Sequence, residues 1–148
     1  MPRRVLVILV IAMACVGCGP KPPPIVPVEG RVMLNGKPLA RAEVRFFPMI
    51  KFGGEYIAVG ETDENGYYKL ECMAQPGACA CENRVTVTEG SVPEDCRGMS
   101  AESQARLVRY QASLKNRPIP GKYANLAQSP LKFLVSPDQK NYPIDLER

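Results

Sequence analysis

Alternating apolar and polar positions, separated by turn signals, run through most of this chain. In the first such segment apolar or small residues recur at every second position from Val28 to Leu34, and the segment stops at Asn35-Gly36, a strong tight-turn signal. Similar alternation predicts strands over residues 28–34, 42–48, 56–62, 67–72, 83–88, 131–135 and 142–146. Seven short strands at these intervals favour a mainly β fold, an antiparallel sandwich of two sheets.

One segment carries helical spacing instead. Over residues 100–115 apolar side chains recur three or four positions apart, and Ser100 with Ser103 resembles a weak N-terminal cap. This pattern predicts one short helix inserted between strands. We expect its apolar stripe to pack on the sandwich, because alanine is too small for the alternative, a helix lying in a membrane surface. The stripe consists of Ala101, Ala105, Leu107, Val108, Ala112 and Leu114.

The start of the chain has the layout of an export signal. Arg3 and Arg4 precede an apolar run over residues 5–16, which ends at Gly17-Cys18. A basic start, an apolar segment too short to span a bilayer and a small residue before the cut are typical of a secretory signal. The segment resembles the lipobox of bacterial lipoproteins, in which the cysteine after the cut receives a thioether-linked lipid. The resemblance makes residues 1–17 a signal peptide and Cys18 the lipidation site.

The lipobox departs from its usual form at one position. Cys15 stands where the family carries leucine, while Val16 and Gly17 fit the pattern. Two alternatives stay open: a cut before Cys15, with Ala12 in the leucine position, and a plain signal peptide that receives no lipid. The cut before Cys15 is the poorer match to the lipobox.

Proline dominates the residues that follow the cysteine. Residues 18–27 hold five prolines, at 20, 22, 23, 24 and 27. Chains of this composition extend by about 3.1 Å per residue in polyproline geometry. The segment therefore predicts a tether that holds a single domain, residues 28–148, about 20–30 Å from the lipid surface.

Cysteine usage fits an exported protein. Beyond the lipobox the chain holds four cysteines, and an even number in an exported chain predicts two disulfides. A bond between neighbours separated by one residue would be strained, which leaves two pairings open. A four-sulfur zinc site is the alternative, but the chain lacks a Cys-x-x-Cys knuckle. The candidates are Cys72, Cys79, Cys81 and Cys96.

Charge excludes nucleic acid as an expected partner. The 148 residues carry a formal net charge of +4, but removal of residues 1–17 takes Arg3 and Arg4 away and leaves +2. A modest basic stretch begins within the predicted helix and continues past its end, and we interpret it as a solvated helix face. Its residues are Arg106, Arg109, Lys115, Arg117 and Lys122.

Two stretches resemble a known family. Residues 28–46 carry G-x-V, an N-G turn and K-P-L-x-x-A-x-V, and residues 61–68 carry T-D-x-x-G-x-Y. These motifs are similar to those of the carboxypeptidase-regulatory-like, or transthyretin-like, β-sandwich, and residues 119–133 resemble the tail of small bacterial lipoproteins built on it. The resemblance implies an Ig-like antiparallel sandwich in which Tyr67 or Tyr68 caps the core. The cysteine cluster and the helix after it depart from the family pattern.

The sequence offers little chemistry. It has no histidine, and no serine-hydrolase motif, phosphate loop or nucleotide fingerprint. A calcium loop starting at Asp63 lacks the expected oxygen ligands at Tyr67 and Ala74, so a turn is the better interpretation. Paired carboxylates are not singled out at any position. We therefore expect no enzyme activity, no cofactor and no metal.

These observations predict a lipid-anchored module in the bacterial cell envelope, on the extracytoplasmic side of a membrane. Gly19, rather than the aspartate that retains some lipoproteins, follows Cys18, which by analogy favours the outer membrane. The expected role is structural or in protein interaction, with an envelope protein or a glycan as partner. Two alternatives are a small-ligand or carbohydrate binder that uses the loops at one end of the sandwich, and a disulfide-active enzyme that uses Cys79 and Cys81.

Overall fold

The computed structural model of the chain describes Gly19, residues 21–51 and residues 53–148. The predicted signal peptide and Cys18 lie outside these residues. One α-helix, α1 (Ala101–Ser113), and 3-10 helices at Gly53–Tyr56, Glu94–Cys96 and Gly121–Tyr123 accompany the strands. The strands are β1 (Ile25–Val26), β2 (Glu29–Leu34), β3 (Lys37–Pro38), β4 (Ala42–Pro48), β5 (Ala58–Glu61), β6 (Tyr67–Lys69), β7 (Glu71–Cys72), β8 (Gln75–Pro76), β9 (Ala78–Cys79), β10 (Glu82–Glu89), β11 (Lys132–Leu134) and β12 (Ile144–Leu146).

Two sheets form a sandwich, which confirms the predicted mainly β fold. One sheet has the order β11-β10-β4-β5-β7-β8, and the other contains β12-β2-β3 with β6 also paired to β2. Each predicted strand segment overlaps with at least one observed strand. The pairs are antiparallel except for β12 and β2, which run parallel. The predicted antiparallel pattern therefore does not hold for this last strand.

The predicted alternation places the core correctly. In β4 the residues Ala42, Val44 and Phe46 are fully buried, and their neighbours Glu43 and Arg45 are not. The same period-two pattern buries alternate residues of β2, because successive side chains of a strand point to opposite faces. In β10 the alternate residues Val85 and Val87 are buried, and so is Thr86 between them. Burial of these apolar faces between the sheets is the main contribution to the stability of the fold.

Aromatic rings join the two sheets at the centre of the core. Phe46 in β4 stacks on Phe133 at 5.7 Å between ring centroids and meets Tyr142 edge-on at 6.5 Å. Tyr68, which is 2% exposed, donates its hydroxyl hydrogen to the carbonyl of Tyr142 at 2.6 Å. Tyr67 is 54% exposed, so Tyr68 is the tyrosine that caps the core.

Both predicted turns have the backbone that their sequences require. Asn35 and Gly36 have φ values of 50° and 74°, and Gly66 has a φ of 80°. The Asp63 carboxylate accepts hydrogen bonds from the backbone N–H groups of Asn65 and Tyr67, at 2.8 and 2.9 Å. Asp63 therefore closes its own turn, in agreement with the interpretation of this segment as a turn rather than a calcium loop.

The tether is shorter than the sequence predicts. Ile25 and Val26 form β1 and pair with Cys79 and Ala78 of β9, although both fall within the predicted tether. The Pro24 carbonyl also accepts a hydrogen bond from the Ala80 N–H at 2.8 Å. The sequence does not predict β1, because two residues are too few to show an alternation of apolar and polar positions. Among the described residues, Pro24 is consequently the first that is bonded to the sandwich.

The helix is present, but its expected packing is wrong. Ser100 caps α1 by accepting the Ser103 N–H at 3.1 Å, as the sequence predicts. None of its residues is buried, and Val108 is 64% exposed. Alanine buries too little apolar surface to hold a helix on a sheet, which explains the difference. Within the described ranges, no helix is long and apolar enough to cross a membrane.

Candidate functional site: the end of the sandwich and the thiols

One end of the sandwich gathers loops from several strands. The Asn35 N–H donates to the Leu146 carbonyl at 2.9 Å, which joins the end of β2 to the end of β12. The Arg41 backbone joins two further strands, since its N–H donates to Thr62 at 3.1 Å and its carbonyl accepts from Gly90 at 2.8 Å. The loops at this end of the sandwich, where one alternative from the sequence places a binding site for a small ligand or carbohydrate, are therefore bonded to one another.

Thr62 fixes the loop that carries Arg41. This threonine is 2% exposed. Its hydroxyl donates to the Leu39 carbonyl at 2.7 Å and accepts from the Ala42 N–H at 2.9 Å. Because both ends of residues 39–42 are bonded to one buried hydroxyl, the backbone of Arg41 is held in place.

The residues after α1 return to the same end of the sandwich. Asn116, which has a φ of 59°, donates its side-chain amide to the carbonyls of Leu34 and Lys37 at 3.0 and 3.1 Å. Arg117 donates to the Ala40 carbonyl at 2.7 Å and pairs with Glu89 at 2.8 Å. This linker thus lies on the β2–β3 turn and on the loop before β4.

Arg148 completes this arrangement. Its guanidinium donates to the side-chain oxygen of Asn116 at 3.1 Å and to the carbonyl of Arg117 at 3.3 Å. Its backbone N–H donates to the Asn35 side chain at 3.1 Å. The β2–β3 turn, the linker after α1 and the residue after β12 are therefore bonded together.

These segments enclose a cleft of about 810 Å³, which we call the basic end cleft. Glu64 is its single acidic side chain among the described residues, and Tyr110 and Leu114 contribute less polar surface. Such a volume is typical of a site for a small molecule. The basic side chains that line it are Lys37, Arg41, Lys115, Arg117 and Arg148.

The sequence interpretation of the basic stretch is wrong for two of its residues. Lys115 and Arg117 follow the end of α1 at Ser113 and line the cleft, so neither lies on a solvated helix face. Lys37 and Arg148 were missed because no local pattern marks them. Their only sequence signal is that Lys37 follows the Asn35-Gly36 turn, which places it at the end of the sandwich.

A second groove, of about 580 Å³, is acidic, but its carboxylates already have partners. Glu29 pairs with Lys140 at 3.1 Å, and Glu61 accepts from the Ser91 hydroxyl at 2.7 Å. Asp63 is bonded to its own turn. The groove therefore offers little free charge to a ligand.

The two predicted disulfides are absent from the described residues, where all four cysteines are free thiols. Cys72 and Cys79 lie close enough for each thiol to affect the pKa of the other. Cys96 lies in the 3-10 helix beyond the far end of β10, whereas Cys81 immediately precedes that strand. Both pairings left open by the sequence join Cys96 to Cys79 or Cys81, and β10, a strand about 25 Å long, lies between these positions in the chain.

The thiols also lack the character of a reactive or metal-binding group. Burial raises the pKa of each of the four, and that of Cys79 to about 11. A disulfide-active enzyme requires the opposite, a lowered thiol pKa. No group of three or more potential ligands that could hold a metal occurs in the described part of the chain, so the four-sulfur zinc alternative is not assembled.

Raising the pH of the reduced protein above 9 is expected to lower its free energy of unfolding. The pKa of Cys79 rises on folding from 9.0 to about 11, so between these values the unfolded chain releases a proton that the folded chain keeps. The stabilisation that comes from this shift is complete below pH 9 and is lost as the pH rises through 11, for a total of about 3 kcal/mol. Burial also raises the pKa of Tyr68, which acts in the same direction above pH 10.

Urea unfolding at mildly and strongly alkaline pH measures this loss. The matched control is Cys79→Ala, which removes the thiol proton and leaves Tyr68 in place. We expect the control to lose less stability over the same pH interval. Equal losses in the two proteins would contradict the assignment to Cys79.

Comparison of the chain with protein-family models, curated proteins and solved structures finds no match.

Proposed function

We propose that this chain is a lipid-anchored, non-enzymatic β-sandwich module on the extracytoplasmic side of a bacterial membrane, with a structural or protein-interaction role in the envelope. The observation that carries the proposal is the short length of chain between Cys18 and the sandwich. In the sequence only residues 19–23 separate Cys18 from Pro24, the first of the described residues that is bonded to the sandwich. A lipid on Cys18 would therefore hold the domain within about 20 Å of the membrane.

The signal-like segment before Cys18 supports the same proposal. A basic pair, an apolar run and Gly17-Cys18 form one continuous pattern that has no place in the strand pattern of the sandwich. The several acyl chains of a lipoprotein cysteine supply enough buried apolar surface for stable anchoring. The outer membrane is the expected destination by analogy with other lipoproteins, because Gly19 stands where an aspartate retains some of them in an inner membrane. An envelope protein is the expected partner.

Labelled palmitate tests the anchor. The full chain expressed in a bacterium is expected to incorporate the label, and Cys18→Ala is expected to abolish it because the thioether has no sulfur to form on. Cys15→Ala is the matched control, since it removes the neighbouring thiol but keeps the proposed cut, and it should retain most of the label. Label in Cys18→Ala equal to that in the unmodified chain would overturn the proposal.

A further inference from the structure

We propose that the basic end cleft binds a ligand from solution that carries two or more phosphate groups, such as an organic polyphosphate or a phosphate-bearing polymer. The proposal narrows the ligand-binding alternative predicted for the end loops to one chemical class. It does not depend on lipid anchoring, because none of the cleft residues belongs to the tether. The palmitate experiment and the binding experiment below can therefore fail independently.

Charge is the first observation. Of the five basic side chains in the cleft, Arg41 pairs with Glu61 at 3.8 Å and Arg117 with Glu89 at 2.8 Å. The remaining three face one lining carboxylate, that of Glu64. The side chains of Lys37 and Lys115 have no hydrogen bond or ion pair within the described part of the chain. The cleft consequently holds positive charge that the protein does not neutralise.

The second observation is that the cationic side chains belong to segments of the chain that hydrogen bonds already hold together. The Asn116 side chain donates to the Lys37 backbone carbonyl at 3.1 Å, so the chain beside Lys115 is tied to the chain that carries Lys37. The Arg117 side chain is only 14% exposed and donates to the Ala40 carbonyl at 2.7 Å. Binding would need little rearrangement of the backbone, which lowers its entropic cost.

Volume and charge together select the ligand class. A cleft of about 810 Å³ is much larger than one inorganic phosphate ion. A phosphate group carries up to two negative charges, so two groups are enough to balance the three cations that lack a carboxylate partner. Guanidinium and ammonium groups both bind phosphate well, Arg148 through its planar donors and the lysines as point charges. The Tyr110 ring and Leu114 leave room for an organic part.

The position of the cleft favours a ligand from solution over the anchoring membrane. The tether joins the fold at Pro24, which is bonded to Ala80 just before β10 begins. Arg41 of the cleft is bonded to Gly90, just after β10 ends. A strand of eight residues therefore lies between the two positions, a length of about 25 Å. The cleft therefore opens at the end of the sandwich that lies away from the tether.

Isothermal titration calorimetry of the full chain in neutral detergent, with inorganic tripolyphosphate at low ionic strength, tests the proposal. We expect one site per chain, with an affinity that falls as salt is added. The double variant Lys37→Gln with Lys115→Gln is expected to bind about tenfold or more weakly, because two cations leave the cleft. Both side chains are free of partners in the described residues, so folding should be preserved, as thermal unfolding can verify.

The matched control removes the same charge elsewhere. Lys69 and Lys132 are exposed strand residues that do not line the cleft, and Lys69→Gln with Lys132→Gln is expected to change the affinity by less than about twofold. Equal loss in the two double variants would overturn the proposal, since it would show attraction by net charge. Absence of tripolyphosphate binding would overturn it as well.

Two further titrations define the ligand. Citrate has three carboxylates and no phosphate, and it is expected to bind at least about tenfold more weakly than tripolyphosphate. Vesicles of phosphatidylglycerol mixed with phosphatidylcholine are expected not to compete with tripolyphosphate. Equal binding of citrate, or binding to vesicles without binding of tripolyphosphate, would overturn the assignment to a phosphate ligand from solution.

Discussion

Replacing Phe46 by alanine is expected to lower the free energy of unfolding by about 3–5 kcal/mol. Its side chain is fully buried. It stacks on Phe133 at 5.7 Å and meets Tyr68 and Tyr142, at 6.4 and 6.5 Å, from the opposite sheet. Truncation therefore removes apolar surface from the core and also leaves a cavity at the junction of the sheets, and both effects destabilise the fold.

Equilibrium unfolding in urea measures this loss. Leu134→Ala is the control because Leu134 lies in the same sheet but is 72% exposed, and its truncation should cost less than about 0.5 kcal/mol. Phe46→Leu should fall between the two, since leucine refills part of the volume. A loss below about 1 kcal/mol for Phe46→Ala would contradict the packing of the sheets through this ring.

Replacing Gly77 by alanine is expected to release β1 and to lower stability by about 2–4 kcal/mol. Gly77 has a φ of 122°, a conformation that other residues adopt at a cost. A Cβ at this position would also overlap with the backbone carbonyl of Val26. Because both groups are backbone, the overlap cannot be relieved by a side-chain rotation, and β1 must move away from β9.

Hydrogen exchange reports this release directly. The Ala80 N–H, which donates to the Pro24 carbonyl at 2.8 Å, should lose its protection in Gly77→Ala. Gly36→Ala is the matched control, because Gly36 also has a positive φ but a Cβ there would meet no atom within 4 Å. It should cost about 1 kcal/mol and leave the exchange of Ala80 unchanged. Retained protection in Gly77→Ala would contradict the expected displacement.

The strands of the sandwich are predictable wherever a period is long enough to read. β2, β4 and β10 are found from apolar residues at every second position, since these residues face the core. The two Asn-Gly turns are found because few residue pairs tolerate positive φ. The parallel pairing of β12 with β2 cannot be predicted in this way, because the partner of a strand depends on the path of the whole chain.

The helix shows the limit of periodicity more clearly. Its span follows from the cap at Ser100 and the spacing of apolar residues, and the structure confirms it as Ala101–Ser113. The packing of the helix does not follow from the sequence, because half of its apolar stripe is alanine and the stripe has too little apolar surface to hold the helix on a sheet.

The basic end cleft is partly visible in the sequence. Lys115 and Arg117 appear as a basic stretch, but nothing local indicates that they meet Lys37 and Arg148. Those contacts depend on Asn116, whose side chain bonds to the β2–β3 turn far away in the sequence. The failure of the disulfide prediction has a similar cause. An even number of cysteines in the sequence gives no information about β10, the strand that lies between Cys81 and Cys96.

The short strand β1 also bears on how the domain responds to mechanical load. Tension applied at Cys18, the proposed lipidation site, would reach Ile25 and Val26, whose pairing with β9 involves only two residues. Val28 follows and is buried in the core. We therefore expect β1 to peel from β9 at low force while β2 stays folded, so that this junction yields before the sandwich does.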